Sequence, residues 1–443
     1  MNEASLPLGS DASAGPLTSP ASQVASAAAA SPRKQRAIIA AAIGNGLEMY
    51  DFTVYSFFAA IIGRLFFPAS SPTASLLLSF ATFGVGFVMR PLGAVLIGNM
   101  ADRRGRKAAL TLTIALMTVG TALIAFTPSY ASIGVTATVL IVAGRLLQGL
   151  SAGGEIGAAS ALLMESASQG RRCFLVSWQA ATQGAAALLG ALTGAAVSAS
   201  LSPEALESWG WRVPFLIGLL IAPVGIYIRR HLEETHTESR DHASLGAVVR
   251  EHGRTLALGV LLTTSSTSSM YIMVFYMPTY LVNTLHMPQV TAFLAACVAG
   301  LTMLVMAPLF GRLADRLPRR KTLLIVNSIV SLCVLLPNFA LLASGPGLPL
   351  TLCCIALSVT IGSVGSGAGA AMMMEALPRH HRATGMSIMY SVGVTIFGGF
   401  APLVVTWLIG ATGSRMAPAG YLLGAGVISF AALLLFPSHP NRD

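Results

Sequence analysis

Twelve apolar stretches of about membrane-spanning length run through the 443-residue chain. A hydrocarbon core about 30 Å thick needs roughly 20 apolar residues per helix. Charged residues make up 10% of the chain, against roughly 25% in soluble domains. The sequence therefore predicts an all-α membrane protein with twelve transmembrane helices. The predicted spans lie near 37–62, 75–99, 108–127, 132–162, 172–199, 212–229, 255–283, 290–312, 321–343, 349–376, 384–410 and 417–436.

A charged segment that occurs twice indicates an internal duplication. The segment 98–107, GNMADRRGRK, returns at 311–321 as GRLADRLPRRK, with Gly, Asp, Arg and a basic pair at the same spacing. Gly98 and Gly311 lie 311 − 98 = 213 positions apart, close to half of the chain. Parallel halves of this kind are typical of transporters. We predict two pseudo-symmetric six-helix bundles at 37–229 and 254–436, a cytoplasmic linker at 230–253, a disordered N-terminal tail at 1–36 and a C-terminal tail at 437–443.

We call the segments 98–107 and 311–321 the latch loops, because a carboxylate beside arginines can hold a neighbouring helix end and glycine permits a tight turn. The alternative is a plain basic membrane anchor, which needs neither the Asp nor the fixed Gly. Glu165 and Glu375 are a second feature that occurs once in each half. Each can pair with basic residues of the latch loop in its own half, and a surface ion pair is the alternative. The predicted gating residues are Gly98, Asp102, Arg103, Gly105, Arg106, Glu155, Glu165, Asp315, Arg316 and Glu375.

Basic residues cluster in the tails and in alternate connections, which hold 22 of the 27 Lys and Arg. This positive-inside pattern places both termini in the cytoplasm, and we expect a multi-pass protein of the cell inner membrane. The pattern also explains the net charge of +10 without a nucleic-acid partner. The five cysteines show no metal-ligand spacing, and no phosphate loop or nucleophile elbow occurs. We therefore expect neither an enzyme nor a metal site, and a protein that functions as a monomer.

Five ionisable side chains lie deep inside predicted spans of the first half: Glu48, Asp51, Arg90, Arg145 and Glu155. A charge at a helix centre costs on the order of 2.5–3.5 kcal/mol on insertion scales, so such residues indicate function. The second half has hydroxyls and aromatic rings instead, including seven consecutive hydroxyl residues at 263–269. We expect charge recognition and proton exchange in the first half, and neutral hydrogen bonding in the second.

The spacing of these groups suggests their roles. Glu48 and Asp51 share one helix face, where two carboxylates in a low dielectric can exchange protons; a pairing with an arginine, or a helix–helix contact for Glu48, is the alternative. Arg145 keeps its charge and is either a counter-ion or a bidentate clamp for an anion. Arg90 fits a gate and a substrate contact equally, and the hydroxyl run fits both a cavity lining and bonding back to its helix. The predicted substrate-binding residues are Arg145, Arg90, Gln148, Gln179, Tyr276, Tyr280 and Thr267.

The latch loops resemble the signature loops of the major facilitator superfamily. Five further segments resemble the metabolite–proton symporter family within this superfamily. They are GNGLEMYDF at 44–52, MRPLGA at 89–94, GRLLQGLSAGGE at 144–155, SWQ at 177–179 and WGWRVPF at 209–215. The hydroxyl run leading to YMPTY at 276–280, and TIFGGFAP at 395–402, resemble the citrate and tricarballylate branch. Two positions depart from the pattern: Met49 stands where an aromatic residue is frequent, and Pro318 replaces the second latch glycine.

The resemblance implies proton symport of an organic acid by alternating access, with the proton as coupling ion and no other cofactor. We predict import of a di- or tricarboxylate similar to citrate, so that the partners are this anion, protons and the lipid bilayer. Another organic acid or a zwitterionic osmolyte such as a betaine is the alternative substrate. An exporter working as an antiporter is an alternative mode, and a non-transporting membrane receptor on the same fold is an alternative of another class.

Overall fold

The computed structural model describes residues 45–46, 48–104, 106–153, 155–168, 170–220 and 245–437. Within these residues every regular element is helical. Nine of the described helices are long and apolar enough to cross a membrane, and Thr111–Phe126 and Gly210–Leu220 are shorter apolar helices. With the helical segment that ends at Phe66 they match the twelve predicted spans, so the predicted all-α, twelve-helix fold class is confirmed.

Six described helices make up the first half, and within their spans most backbone N–H and C=O groups pair along the helix, as a lipid environment requires. They are α1 (48–57 and Ala59–Phe66), α2 (Pro72–Arg104), α3 (Arg106–Phe126), α4 (Val135–Ala152, continued by Glu155–Ser166), α5 (Arg172–Ser200) and α6 (Gly210–Leu220). The first latch segment is mostly helical rather than an open loop, since α2 continues to Arg104. Helical hydrogen bonding does not depend on lipid, so charged residues can extend a span beyond the membrane.

The second half repeats this arrangement with two wider turns. Its helices are α7 (Leu245–Met270, Tyr271–Tyr276 and Met277–Asn283), α8 (Gln289–Arg316), α9 (Arg320–Ala343), α10 (Leu348–Val364 and Ser366–Glu375), α11 (Arg382–Gly393, Val394–Gly399 and Ala401–Thr412) and α12 (Ala417–Leu435). The middle segments of α7 and α11 are π-helical. Each lies just before a proline, Pro278 or Pro402, whose missing N–H a wider turn accommodates.

The proposed domain limits fall partly outside the described residues. This holds for the tail at 1–36, for residues 221–244 and for residues 438–443. α7 begins at Leu245, inside the predicted linker at 230–253, so the last residues of that linker are helical. Because each described helix crosses once, the described residues of both latch segments, the start of α7 and the α4–α5 and α10–α11 connections lie on one face, which we call the latch face.

Close contact between α2 and α4 sets the position of the deep charges. A Cβ atom on Gly149 would lie 1.7 Å from the carbonyl oxygen of Gly86, and one on Gly153 would lie 1.8 Å from that of Arg90. Only glycine permits this approach of two backbones. The contact brings Arg90 on α2 into the same layer of the first bundle as Arg145 on α4.

Candidate functional site

Two guanidinium groups lie buried against one aromatic ring in the first bundle. Arg90 is 1% exposed and Arg145 is 0% exposed. The Cζ atom of Arg145 lies 4.4 Å from the ring centroid of Phe52, and that of Arg90 lies 4.9 Å from the same centroid. Further ring contacts come from Tyr55 for Arg145 and from Phe87 for Arg90. Cation–π contacts of this kind stabilise a desolvated charge without neutralising it.

Most hydrogen-bond donors of the two arginines are unpaired among the described residues. Arg145 donates from Nη1 to Oε1 of Gln148 at 2.7 Å, while its Nε and Nη2 have no partner there. Nη2 of Arg90 lies 3.5 Å from Oε1 of Glu48, while its Nε and Nη1 have no partner there. Buried charged donors are costly unless they are satisfied. The arrangement therefore suits acceptors that carry negative charge, and carboxylates bind guanidinium groups bidentately.

Asp51 lies next to this pair of arginines but contacts neutral groups. It is 5% exposed, and its Oδ2 accepts a hydrogen bond from the Thr121 hydroxyl. Gln148 donates from Nε2 to Oγ1 of Thr121 at 2.9 Å, and the same nitrogen lies 3.5 Å from Oδ2 of Asp51. The Gln148 amide thus connects Asp51 with Arg145. A carboxyl group with neutral partners can accept or release a proton without breaking an ion pair.

Glu48 and Asp51 share a helix but have different partners. Glu48 is 7% exposed and pairs directly with Arg90, whereas Asp51 is connected with Arg145 through an amide. The sequence predicted that the two carboxylates share one face, and the structure directs them to separate arginines. Glu48 is thus positioned as a counter-ion, and Asp51 is positioned as the more independent acid.

The second half contributes Tyr271 to this site. Its side chain is buried, and its hydroxyl has no partner among the described residues. Its ring centroid lies 5.3 Å from that of Phe87 and 6.2 Å from that of Phe83, the rings that also contact the arginines. Sequence reasoning missed Tyr271, Thr121 and this aromatic cluster as site residues. One signal was available, since Phe83, Phe87 and Arg90 recur at helical spacing on α2.

Three other predicted substrate-binding residues have hydrogen-bond partners within the second half of the chain. Thr267 donates to the carbonyl oxygen of Thr263 at 2.8 Å, which is bonding back to its own helix. The hydroxyls of Tyr276 and Thr406 lie 3.1 Å apart. Tyr280 donates to the carbonyl oxygen of Arg415 at 2.8 Å, beyond the far end of α11.

Tyr280 and Gln179 have hydrogen-bond partners other than the arginines. Tyr280 follows Tyr271 by nine residues, which is about 13 Å along a helix. Oε1 of Gln179 accepts a hydrogen bond from Ser160 at 2.9 Å, and its carbonyl oxygen accepts one from Asn45 at 3.1 Å. The structure therefore assembles Glu48, Asp51, Arg90, Arg145 and Gln148 in one place, with Tyr271 facing them.

Asp315 of the second latch joins the two halves on the latch face. Its carboxylate accepts hydrogen bonds from the backbone N–H groups of Cys173 at 2.9 Å and Phe174 at 2.8 Å. These amides lie in the first turn of α5, where free N–H groups and the helix dipole favour an anion. Because α8 belongs to the second half and α5 to the first, this contact ties one bundle to the other.

An ion cluster centred on Glu375 reinforces the same contact. Glu375 accepts from Nη1 of Arg320 at 2.6 Å and from Nη1 of Arg172 at 3.2 Å. Nη2 of Arg320 also lies 3.9 Å from Oδ1 of Asp315. The pairing of Glu375 with a basic residue of its own latch loop is present as expected, and Arg172 adds a partner from the other half. Arg316 and Glu165 are exposed.

The first latch lies largely outside what the structure describes. The backbone around Gly98, Asp102 and Arg103 belongs to α2, and Arg106 begins α3. Their side chains and that of Glu155 are outside the described residues, as is the whole of Gly105. The gating roles of Gly98, Asp102, Arg103, Gly105, Arg106 and Glu155 stay predictions from the sequence.

Comparison with known proteins relates the chain to membrane transporters. The family profile described as Major Facilitator Superfamily matches residues 37–391 and 294–443. A citrate–proton symporter of Klebsiella pneumoniae is 37% identical over 402 residues, which are 90% of this chain and 89% of that protein. A proline/betaine transporter of Salmonella typhimurium is 31% identical over 424 residues, which are 92% of this chain and 84% of that protein.

Solved structures agree with the fold. The crystal structure of a D-xylose–proton symporter superimposes with a TM-score of 0.74 at 17% identity, covering 91% of this chain and 98% of that one. This likeness concerns the helical architecture. The family profile carries the family assignment, and the relatives are named as transporters rather than as enzymes.

Proposed function

The chain belongs to the Major Facilitator Superfamily, and we propose that it is a proton-coupled symporter of a di- or tricarboxylate similar to citrate. The observation that carries the proposal is the set of unpaired buried donors: Nε and Nη2 of Arg145 together with Nε and Nη1 of Arg90. Nε and Nη2 of Arg145 lie on one edge of the guanidinium and can hold one carboxylate through two parallel hydrogen bonds, while Nε and Nη1 of Arg90 can each donate a single bond. Two guanidinium groups beside one ring suit a substrate with more than one carboxylate.

Asp51 is the proton-binding group in this proposal. Its burial and its neutral partners, Thr121 and Gln148, support that role. The Gln148 amide contacts both Asp51 and Arg145. A carboxylate of the substrate at Arg145 and a proton at Asp51 therefore act on the same amide, and this provides a route for coupling between the two ligands.

Two sets of contacts between the halves support alternating access as the mode of transport. On the latch face Asp315 holds the start of α5. Ser56 donates to the carbonyl oxygen of Phe275 at 3.2 Å towards the opposite face, and Thr395 donates to that of Phe87 at 3.0 Å near the arginine site. Breaking one set while keeping the other opens the arginine site to one side at a time. The basic residues at the latch face support its placement in the cytoplasm.

A zwitterion such as a betaine is the second candidate substrate. The direct Glu48–Arg90 pair provides both signs of charge, and the rings of Phe87 and Tyr271 can contact a quaternary ammonium group. A relative that is 31% identical is named as a proline/betaine transporter. The number of unpaired guanidinium donors favours the carboxylate.

Uptake by proteoliposomes tests the proposal. Purified protein is reconstituted, an inward proton gradient is imposed, and the entry of labelled citrate is compared with that of labelled proline and betaine. We expect citrate to accumulate and the accumulation to disappear when a protonophore collapses the gradient. Accumulation of betaine or proline instead of citrate would contradict the proposed carboxylate substrate. Citrate uptake that is independent of the proton gradient would contradict proton coupling.

A further inference from the structure

Three potential metal ligands meet on the latch face of the second half, away from the arginine site. They are Glu251 and His252 in the first turns of α7 and His381 in the connection between α10 and α11. Their ligand atoms all lie within 4.8 Å of one another. Nε2 of His252 is 3.1 Å from Nδ1 of His381, and Oε2 of Glu251 is 4.0 Å from Nε2 of His252.

The separation of the two imidazole nitrogens fits a tetrahedral metal ion. Two ligands held at about 2.0–2.1 Å from a tetrahedral Zn²⁺ ion lie roughly 3.3 Å from each other. The imidazole pair is already at 3.1 Å. The carboxylate of Glu251 is 60% exposed, so a rotation of its side chain can bring it closer. Two imidazoles and one carboxylate are a ligand set that suits zinc and its neighbours in the first transition row.

The backbone positions both rings. His252 has non-helical dihedral angles (φ −120°, ψ 19°), which produce a kink inside α7. His381 ends a short 3₁₀ turn, Arg379–His381, and its side chain is 4% exposed.

The charged neighbour of His381 is directed elsewhere. Arg382 donates from Nε to the carbonyl oxygens of Met374 and Leu377, both at 3.1 Å. Its guanidinium is therefore engaged by the end of α10. The exposed carboxylate of Glu251 makes the cluster of three ligands accessible from solvent.

We propose that Glu251, His252 and His381 bind one divalent transition-metal ion of the zinc class, with water as the fourth ligand. The sequence predicted no metal site because the two histidines are 129 positions apart. The ion ties the entry of α7 to the entry of α11. Both helices belong to the second half, so the ion stabilises that bundle at the latch face.

Metal binding to the full-length protein tests the proposal directly. The protein is purified in detergent through an affinity tag without histidine, and Zn²⁺ binding is measured by calorimetry, with Co²⁺ absorption as a report on tetrahedral geometry. We expect one ion per chain. His252→Asn and His381→Asn should each weaken binding at least ~10-fold, since both remove an imidazole ligand.

Two controls separate this site from other histidines. His286→Asn changes an exposed histidine on the opposite face, at a positive φ of 56° that asparagine tolerates, and should keep full affinity. A triple variant of His231, His236 and His242, which lie outside the described residues, should also keep the single site.

Each outcome decides the matter. If His381→Asn does not fold, because that position is buried, His252→Asn and Glu251→Gln at the accessible positions carry the same test. Binding that is unchanged in these variants, or no stoichiometric binding by the wild-type protein, would overturn the proposal. The binding measurement does not depend on which substrate is transported or on whether transport is coupled to protons.

Discussion

The carboxylate of Asp51 reaches the guanidinium of Arg145 through the side-chain amide of Gln148. The amide oxygen accepts from Arg145 at 2.7 Å, and the amide nitrogen lies 3.5 Å from Oδ2 of Asp51. A direct ion pair would tie the proton site and the anion site to each other. The bridge through Gln148 instead leaves Nε and Nη2 of Arg145 available for a further acceptor. Asp51 keeps its contact with the Gln148 amide, through which it can respond to a ligand at Arg145.

Replacing Arg145 by lysine tests the anion site. Lysine keeps the positive charge but loses the planar fork that holds a carboxylate bidentately. We expect citrate binding to weaken about tenfold or more, which corresponds to roughly 1.4 kcal/mol or more. The rise in the thermal unfolding temperature with citrate concentration reports this affinity.

Arg415→Lys is the matched control for that variant. Arg415 lies in the connection between α11 and α12, and its contact with Tyr280 uses the backbone carbonyl. Its citrate response should equal that of the wild-type protein. A normal response by Arg145→Lys would rule out bidentate binding at this position.

Some features of the fold and of the site were predictable from the sequence, and others were not. The spans were predictable because a lipid environment permits only helices with satisfied backbones, and Asp51 and Arg145 were found because charges in such helices are rare. Gln148 was predicted as a substrate-binding residue, but its contact with Asp51 and that of Thr121 were not predictable, since neither residue is on the same helix as Asp51. Which of them meets Asp51 depends on the rotation of three helices about their axes.

Aromatic residues show the same limit. Tyr271, Tyr276 and Tyr280 lie on one predicted span, and composition alone does not say which of them faces the arginines. The π segment Tyr271–Tyr276 changes the angular relation between the first and the last of them. The hydroxyl of Tyr280 bonds to the backbone of Arg415, and its contact with substrate stays a prediction, whereas Tyr271 lies beside Phe87.

Replacing Asp315 by asparagine should loosen the latch face. The variant removes a full negative charge from the first turn of α5, a contribution of about 0.3–2 kcal/mol that shifts the opening equilibrium on the order of 2- to 30-fold. Cys173 reports the opening, because its thiol is buried beneath this contact. We expect faster alkylation of Cys173 in a protein whose other four cysteines are alanine.

Glu207→Gln is the control for the latch measurement. It removes an exposed ion pair with Arg64 on the opposite face, where surface pairs contribute only about 0–1 kcal/mol. Alkylation of Cys173 should keep its wild-type rate. Equal rates in Asp315→Asn and the wild-type protein would mean that the carboxylate does not hold the two bundles together.

Gly149→Ala tests the contact between α2 and α4. The added methyl group would lie 1.7 Å from the carbonyl oxygen of Gly86, so the helices must separate. We expect a loss of about 1–3 kcal/mol in the free energy of unfolding and slower uptake, because Arg90 and Arg145 move apart. Gly424→Ala on α12, where the added atom meets nothing within 4 Å, should unfold at the wild-type temperature or above it. Equal stability of the two variants would contradict the contact.

The most direct test of proton coupling at Asp51 compares two uptake assays on one set of proteoliposomes carrying Asp51→Asn. Counterflow exchanges labelled for unlabelled citrate without net proton movement, whereas gradient-driven accumulation requires a proton to be released with each cycle. Asparagine preserves the shape and the contact with Gln148 but cannot exchange a proton. The account predicts that the variant keeps counterflow and loses accumulation. Accumulation at the wild-type level by Asp51→Asn would contradict it.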